Sequence, residues 1–339
     1  AYEVRLRTED GEVTVTDTGS TWECDYCSHQ SLCMTTEAGR IPIESVVAIG
    51  AVALANVGAV ARCWRIARRG RGGAAAGLLA ALLMALSPCA ILASRRIYAQ
   101  YCLAPITGGI LLACQRALEG KKRKRDAFWI AFLGGCLPQI HYSGLAVVAA
   151  LGAAGVWLRP RICWRGFVWG AGAAALASAP YLVHLAQSDF ADARMFLGAI
   201  AGKGEGVAPS PRWQAAAYAL NLPGDADAAQ ILDNAYGPVA EALPGYTVAR
   251  WAMCLAWAGG LAGLAWRAAR RKGGAEERLW LAWILVPLGL YSAIRLTAIP
   301  SYVFILFPLP YILAAQTLAR LASPGRWRRA RAAAVAAFV

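Results

Sequence analysis

Long apolar runs alternate with short polar breaks along the chain, and this pattern predicts a bundle of hydrophobic helices. A helix needs ~20 apolar residues to cross a bilayer. Runs of about this length occur at 43–61, 73–94, 97–115, 166–186, 249–266, 279–294 and 298–319. A further run begins at Ala330. The fold class that we expect is all-α: a polytopic helical membrane protein with about nine or ten membrane segments.

Residues 127–158 contain a different kind of apolar segment, which is broken near its middle. The basic stretches Arg116–Arg125 and Arg159–Arg165 flank it. An excess of Lys and Arg marks cytoplasmic loops, so the segment must enter the membrane and return. It is too short for two full spans. We therefore predict a pair of short helices, 127–139 and 143–158, that meet at a polar break.

The break itself carries Gln139, His141 and Tyr142. Polar backbone at membrane depth is tolerated only where protein or a water-filled cavity covers it. An amide, an imidazole and a phenol at such a place are candidates for binding a phosphate or sugar oxygen. The alternative is that these side chains only form hydrogen bonds that cap the break.

The composition supports a membrane protein, and the charge distribution argues against nucleic-acid binding. The chain is 58% hydrophobic with a formal net charge of +14. Most of its basic residues lie in short loops that alternate with basic-poor loops: Arg62–Arg71, Arg116–Arg125, Arg159–Arg165, Arg267–Arg278 and Arg320–Arg331. Such alternation sets membrane topology, whereas a nucleic-acid site needs one contiguous basic surface. We predict that these loops are cytoplasmic.

This topology divides the chain into regions on alternating sides of the membrane. The predicted regions are an extracytoplasmic segment 1–42, a transmembrane core 43–186, an extracytoplasmic loop 187–247 and C-terminal transmembrane helices 248–339. The loop 187–247 contains several prolines, which favour short helices and turns over one long helix. We expect it to form a structured cap.

Charged residues at the predicted outer ends of helices are candidates for anion binding. Arg95, Arg96 and Gln100 lie at the outer turn between the runs 73–94 and 97–115, and Arg295 follows the run 279–294. Guanidinium groups bind phosphate through two parallel hydrogen bonds. The alternative is that these arginines extend to lipid headgroups.

Two further patterns concern small residues. Cys24, Cys27 and Cys33, with His29 between them, leave zinc binding, a disulfide or no role open. Glycines at helical spacing predict close helix packing rather than chemistry. They are Gly166, Gly170 and Gly172 in one run and Gly259, Gly260 and Gly263 in another.

Three sequence motifs together resemble a known family. They are Ala85-Leu86-Ser87-Pro88, Ser94-Arg95-Arg96-Ile97-Tyr98-Ala99-Gln100 and Leu137-Pro138-Gln139-Ile140-His141-Tyr142-Ser143. The chain resembles bacterial integral-membrane glycosyltransferases of the protein-mannosyltransferase and aminoarabinose-transferase type. The resemblance implies the GT-C fold, a multi-pass protein of the bacterial inner membrane, and a role in the cell envelope.

The resemblance also implies an activity. Members move a sugar from a polyprenyl-phosphate donor to a glycan, lipid or protein acceptor on the extracytoplasmic side. It leaves a divalent metal open and implies no other cofactor. In such enzymes an acidic residue in the first outer loop acts in catalysis. Residues Ala1–Arg5 look like those that follow this residue, so we expect the first helix and the catalytic Asp upstream of Ala1, with Asp17 and Asp25 as the next candidates.

The remaining roles follow from the same resemblance. Arg95, Arg96, Gln100 and Arg295 would bind the donor phosphate. Tyr98, Gln139, His141, Tyr142 and Tyr302 would line the donor cavity. Two other functions stay open: a transporter or flippase for a lipid-linked saccharide, and a noncatalytic membrane assembly protein. A transporter should show an inverted repeat, and the later half of the chain has no second Pro-Gln-x-His-like break.

Overall fold

The structure is a computed structural model. It describes residues 2–8, 11–17, 43–70, 72–87, 90–91, 102–120, 123–200, 211–224, 244–270, 272–294 and 300–322. The chain separates into two compact units, Ala1–Gly50 and Ala51–Val339. The first unit contains a two-stranded antiparallel hairpin, β1 (Tyr2–Thr8) and β2 (Gly11–Asp17). In its register Tyr2 lies opposite Asp17, and Thr8 lies opposite Gly11.

The second unit is helical in all its described elements, which confirms the predicted all-α membrane architecture. Helix α1 (Ile43–Arg69) begins in the first unit and continues into the second. The helices that follow are α2 (Gly73–Leu86), α3 (Leu103–Leu118), α4 (Lys124–Ile140), α5 (Gly144–Leu158), α6 (Trp164–Gln187), α7 (Ala191–Ile200), α8 (Gln214–Asn221), α9 (Pro244–Ala269), α10 (Ala275–Ile294) and α11 (Leu309–Leu321). Short 3-10 helices occupy Leu222–Gly224 and Pro300–Leu306.

The predicted broken pair is confirmed. Helix α4 ends at Ile140 and α5 begins at Gly144, so only a three-residue turn separates them. Each helix is shorter than a full membrane span, as the charge flanks required. Short helices α7 and α8 also agree with the prediction that the region 187–247 contains helices and turns rather than one long helix.

Three predicted helix bounds were wrong. Helix α1 does not stop at residue 61 but continues to Arg69, because Arg and Ala are good helix formers and cations stabilise a helix C-terminus. Helix α2 ends at Leu86 rather than 94, since Pro88 disfavours helical backbone at Ser87. Within the run 298–319, residues 300–306 form a 3-10 helix and α11 begins only at Leu309, because Pro308 has no N–H to continue a helical hydrogen-bond ladder from the preceding turn.

The bundle has an aromatic interior and an apolar exterior. The largest fully buried side chains include Trp257, Trp280, Trp283, Phe304 and Tyr311, and every residue from 303 to 316 is buried. Large apolar side chains also cover the outside of the helices, as at Trp169 and Leu176 on α6. Within the described residues, Trp164–Gln187, Thr247–Ala269 and Ala275–Ile294 are long and apolar enough to cross a membrane. Such an exterior suits lipid rather than water.

Glycine lets pairs of these helices touch backbone to backbone. A Cβ atom at Gly166 would lie 2.2 Å from the Lys124 carbonyl oxygen, and one at Gly170 would lie 2.2 Å from the Phe128 carbonyl oxygen. Helices α4 and α6 therefore pack closely, as predicted. Gly260 is similarly close to Leu313 of α11. The prediction was wrong for Gly172, which has no atom within 4 Å of the Cβ position.

The helix ends that border the predicted cytoplasmic loops lie together at one end of the bundle. Ion pairs join Arg69 to Glu119 at 3.2 Å, Arg116 to Asp126 at 2.8 Å and Arg267 to Glu277 at 2.7 Å. Gln115 of α3 hydrogen-bonds Glu276 of α10 and the Ile66 carbonyl of α1. These contacts bring the ends of α1, α3 and α9 to the starts of α4 and α10. We call this region the basic end, and the opposite end, which holds the α4–α5 turn, the turn end.

Candidate functional site at the turn of the broken helix pair

The α4–α5 turn reverses the chain within three residues. The His141 N–H donates to the Leu137 carbonyl at 3.1 Å, and the Gly144 N–H donates to the His141 carbonyl at 2.8 Å. A Cβ atom at Gly144 would lie 2.6 Å from the Leu137 carbonyl oxygen. Only glycine fits this contact, so residue 144 fixes how closely α5 folds back on α4.

His141 faces a tyrosine from a distant part of the chain. Its Nδ1 lies 2.7 Å from the Ser143 hydroxyl oxygen, and the Ser143 N–H donates to the same nitrogen at 3.2 Å. The imidazole packs edge-on against the Tyr302 ring, with ring centroids 5.1 Å apart. The structure thus brings together two of the predicted cavity residues, His141 and Tyr302.

Tyr291 completes this group of side chains. Its hydroxyl donates to the Tyr302 carbonyl at 3.4 Å and also hydrogen-bonds the Ser143 side chain. The Tyr291 and Tyr302 rings lie 6.2 Å apart. We call His141, Ser143, Tyr291 and Tyr302 the turn cluster.

The turn cluster contains no carboxylate, ammonium or guanidinium group, and it retains free hydrogen-bonding capacity. Within the described part of the chain, neither the His141 Nε2 nor the Tyr302 hydroxyl has a hydrogen-bond partner. Both side chains are only partly buried. Imidazole and phenol groups in this state can donate to or accept from the oxygens of a sugar or a phosphate.

The other two polar residues of the break, Gln139 and Tyr142, are not part of the turn cluster. Gln139 donates to the Ser178 hydroxyl on α6 and to the Gly135 carbonyl at 3.4 Å. Tyr142 is 40% exposed. Gln139 therefore links α4 to α6, and its place in the donor cavity stays a prediction.

Several predicted site residues lie outside the described residues, and their roles stay predictions. They are Asp25, Arg95, Arg96, Tyr98, Gln100 and Arg295, together with Cys24, Cys27, His29 and Cys33. Asp17 is the last residue of β2. In the described part of the chain, no group of three or more His, Cys, Asp or Glu side chains is placed to hold a metal ion.

A separate apolar cavity of about 590 Å³ lies among α3, α4, α5 and α6. Small residues leave this space, among them Gly134, Gly152 and Ala174, and Ser178 contributes a hydroxyl to its wall. No member of the turn cluster lines it. The cavity can hold hydrocarbon but offers few groups for chemistry.

Sequence reasoning missed Ser143 and Tyr291 in the cluster, and it misplaced Arg62. Tyr291 lies in an apolar run that gives no local sign of its partners, so only the folded bundle shows its role. Arg62 was assigned to a basic loop but is part of α1, where it donates to the Pro105 carbonyl at 3.3 Å. A continuous helical pattern through Arg69 was the signal that could have placed it.

Comparison with known proteins supports the fold. No family model and no curated protein matches the chain. A solved structure does: ArnT from Cupriavidus metallidurans, bound to undecaprenyl phosphate, with a TM-score of 0.53 at 19% sequence identity. The match covers 83% of this chain and 47% of ArnT, so the chain spans about half the length of that protein. At this identity the likeness shows a shared membrane fold, of the kind that the sequence resemblance implied.

Proposed function

We propose that the chain belongs to a membrane glycosyltransferase that takes a sugar from a polyprenyl-phosphate donor. The observation that carries the proposal is the fold shared with ArnT over 83% of the chain, since that protein's structure holds undecaprenyl phosphate. The sequence resemblance to the same class of enzymes is independent support. The sugar and the acceptor are not specified by either.

The turn cluster fits a place in this reaction. In the transfer, the bond between the sugar's anomeric carbon and the donor phosphate oxygen breaks. The acceptor hydroxyl oxygen bonds the anomeric carbon, its proton passes to a carboxylate that acts as general base, and polyprenyl phosphate leaves. The free His141 Nε2 and Tyr302 hydroxyl would orient the donor by hydrogen bonds to its sugar or phosphate oxygens. Arg95, Arg96, Gln100 and Arg295 stay candidates for stabilising the departing phosphate.

The test uses the complete protein in proteoliposomes with a radiolabelled polyprenyl-phosphate sugar. We expect donor cleavage and sugar transfer, and we expect His141→Gln to slow cleavage by about 10- to 100-fold if one well-oriented hydrogen bond to a charged group is lost. The matched control is His184→Gln, because His184 is an exposed histidine at the end of α6 and should leave the rate unchanged.

Other outcomes would reject parts of the proposal. Movement of intact lipid-linked sugar across the bilayer without cleavage would favour the transporter. Cleavage at the normal rate in His141→Gln would remove the turn cluster from the site while leaving the transferase standing.

A further inference from the structure

Arg62 is a cation inside the helical bundle rather than at its basic end. It lies in α1, and its Cβ packs 3.6 Å from the Cβ position of Gly108 in the second turn of α3. Further along the two helices, the Ile66 carbonyl meets Gln115 and Arg69 meets Glu119. Helices α1 and α3 therefore run side by side in the same direction, and Arg62 lies level with the half of α3 nearer the turn end.

The side chain of Arg62 points away from the basic end. Its Nη1 lies 3.3 Å from the Cβ position of Gly58, one helical turn toward the α1 N-terminus, and donates to the Pro105 carbonyl in the first turn of α3. An arginine that only extended to headgroups beside Arg65 and Arg69 would point the other way. The direction thus excludes the simple anchoring role.

Within the described residues, Arg62 has no carboxylate partner, in contrast to Arg69, Arg116 and Arg267. The hydrogen bond that Arg62 makes to the described part of the chain is to a carbonyl, and its side chain stays partly exposed. A cation at membrane depth without a counter-charge is costly and by default suggests a function. A guanidinium offers five N–H donors, so most of them remain for a ligand.

The surroundings of Arg62 connect it to the segment that leads from the turn end. Gly108 and Gly109 provide a flat surface under the side chain, with the Cβ position of Gly109 3.9 Å from Nε. Pro308 contacts the same surface at Gly108, and the Thr107 hydroxyl donates to the Phe307 carbonyl at 2.8 Å. The segment that follows Tyr302 therefore packs beside the place where Arg62 lies.

We propose that Arg62 binds the phosphate of a membrane lipid, and that in the proposed reaction this lipid is the polyprenyl-phosphate product or donor. This inference rests on the proposed function for the identity of the lipid. The chemistry is a charge-assisted, two-pronged contact between guanidinium and phosphate oxygens. Arg62 is a binding residue here and takes no part in bond breaking.

The test measures binding directly, so it does not depend on transfer activity. The complete protein in nanodiscs is titrated with polyprenyl phosphate and, separately, with the neutral polyprenol of equal chain length, and bound lipid is counted by native mass spectrometry. We expect Arg62→Gln to weaken polyprenyl-phosphate binding about tenfold or more and to leave polyprenol binding unchanged. Arg62→Lys should keep only part of the affinity for polyprenyl phosphate, because an ammonium group cannot form the bidentate contact.

Arg65→Gln is the matched control, since Arg65 lies one turn away on the same helix and is exposed. It should leave both affinities unchanged. If Arg62→Gln binds polyprenyl phosphate as tightly as the parent protein does, the inference is overturned. It is also overturned if Arg62→Gln loses affinity for polyprenyl phosphate and for polyprenol by the same factor. If Arg62→Gln does not fold, Arg62→Lys is compared with the parent protein instead. An unchanged ratio of polyprenyl-phosphate affinity to polyprenol affinity in Arg62→Lys would overturn the inference.

Two further measurements distinguish a failure of this inference from a failure of the proposed function. Competition by phosphatidic acid at the same concentration would overturn the assignment to the polyprenyl lipid and indicate a general headgroup site. Selective phosphate binding that depends on Arg62, in a protein that never cleaves the donor, would uphold this inference and reject the proposed function.

Discussion

The polar side chains at the basic end of the bundle are paired differently from those at the turn end. At the basic end, charged side chains neutralise one another, as in Arg116–Asp126 and Arg267–Glu277. At the turn end, the described contacts are between neutral groups: an imidazole, hydroxyls and backbone carbonyls. The first arrangement holds helices in place. The second leaves hydrogen-bonding groups free, which is the condition for binding a ligand.

The largest effect should follow from breaking the buried ion pair of the basic end. Asp126 is 1% exposed and is also in the first turn of α4, where a carboxylate is favoured. Asp126→Ala leaves Arg116 without its counter-charge and should lower the free energy of unfolding by about 3–5 kcal/mol. Thermal unfolding in detergent, followed by tryptophan fluorescence, measures it.

A double variant makes this prediction sharper. Replacing both partners, as in Arg116→Met with Asp126→Leu, removes the charges together and should restore most of the lost stability. A double variant as unstable as Asp126→Ala would mean that the pair does more than neutralise charge at this end.

An intermediate effect should come from the turn end, where glycine and not charge sets the geometry. Gly144→Ala would place a Cβ atom 2.5 Å from the Leu137 carbonyl carbon. The backbone must shift, so we expect a loss of about 1–3 kcal/mol and a loss of donor binding. Gly152→Ala on the same helix is the control, because no atom lies within 4 Å of its Cβ position.

In the control, alanine should stabilise the helix by up to ~1 kcal/mol. The loss of stability in Gly144→Ala should also be independent of salt concentration, since the contact involves no charged group. Equal stability of the two variants would show that the turn does not depend on this contact.

The smallest effect should be at the exposed rim of the basic end. Arg69 and Glu119 are 3.2 Å apart, but their side chains are 36% and 46% exposed. Surface pairs contribute about 0–1 kcal/mol and are screened by salt. Arg69→Ala should therefore change the unfolding temperature little, and raising the salt concentration should remove the difference from the parent protein. A loss as large as that of Asp126→Ala would contradict this account.

The sequence predicted the helical elements well where the pattern was periodic and bounded. The α4–α5 pair was found because basic flanks and a polar break constrain it from both sides. Helix ends were predicted less accurately. Arginine is a good helix former, so residues such as Arg65 and Arg69 can extend a membrane helix as easily as end it. At the site, the predicted candidates His141 and Tyr302 lie in contact and their role stays a prediction, whereas Tyr291 could not be found because its partners lie far away in the chain.

The continuous burial of residues 303–316 has a consequence for biosynthesis. Among the described helices this segment comes last, and yet its residues are the most continuously buried. Helices that emerge earlier must remain loosely associated in the bilayer, with the central position open, until it is inserted. Once α11 is inserted, α2 and α9 close around it, and until that step the membrane contains a set of partly exposed helices that quality-control proteases can reach.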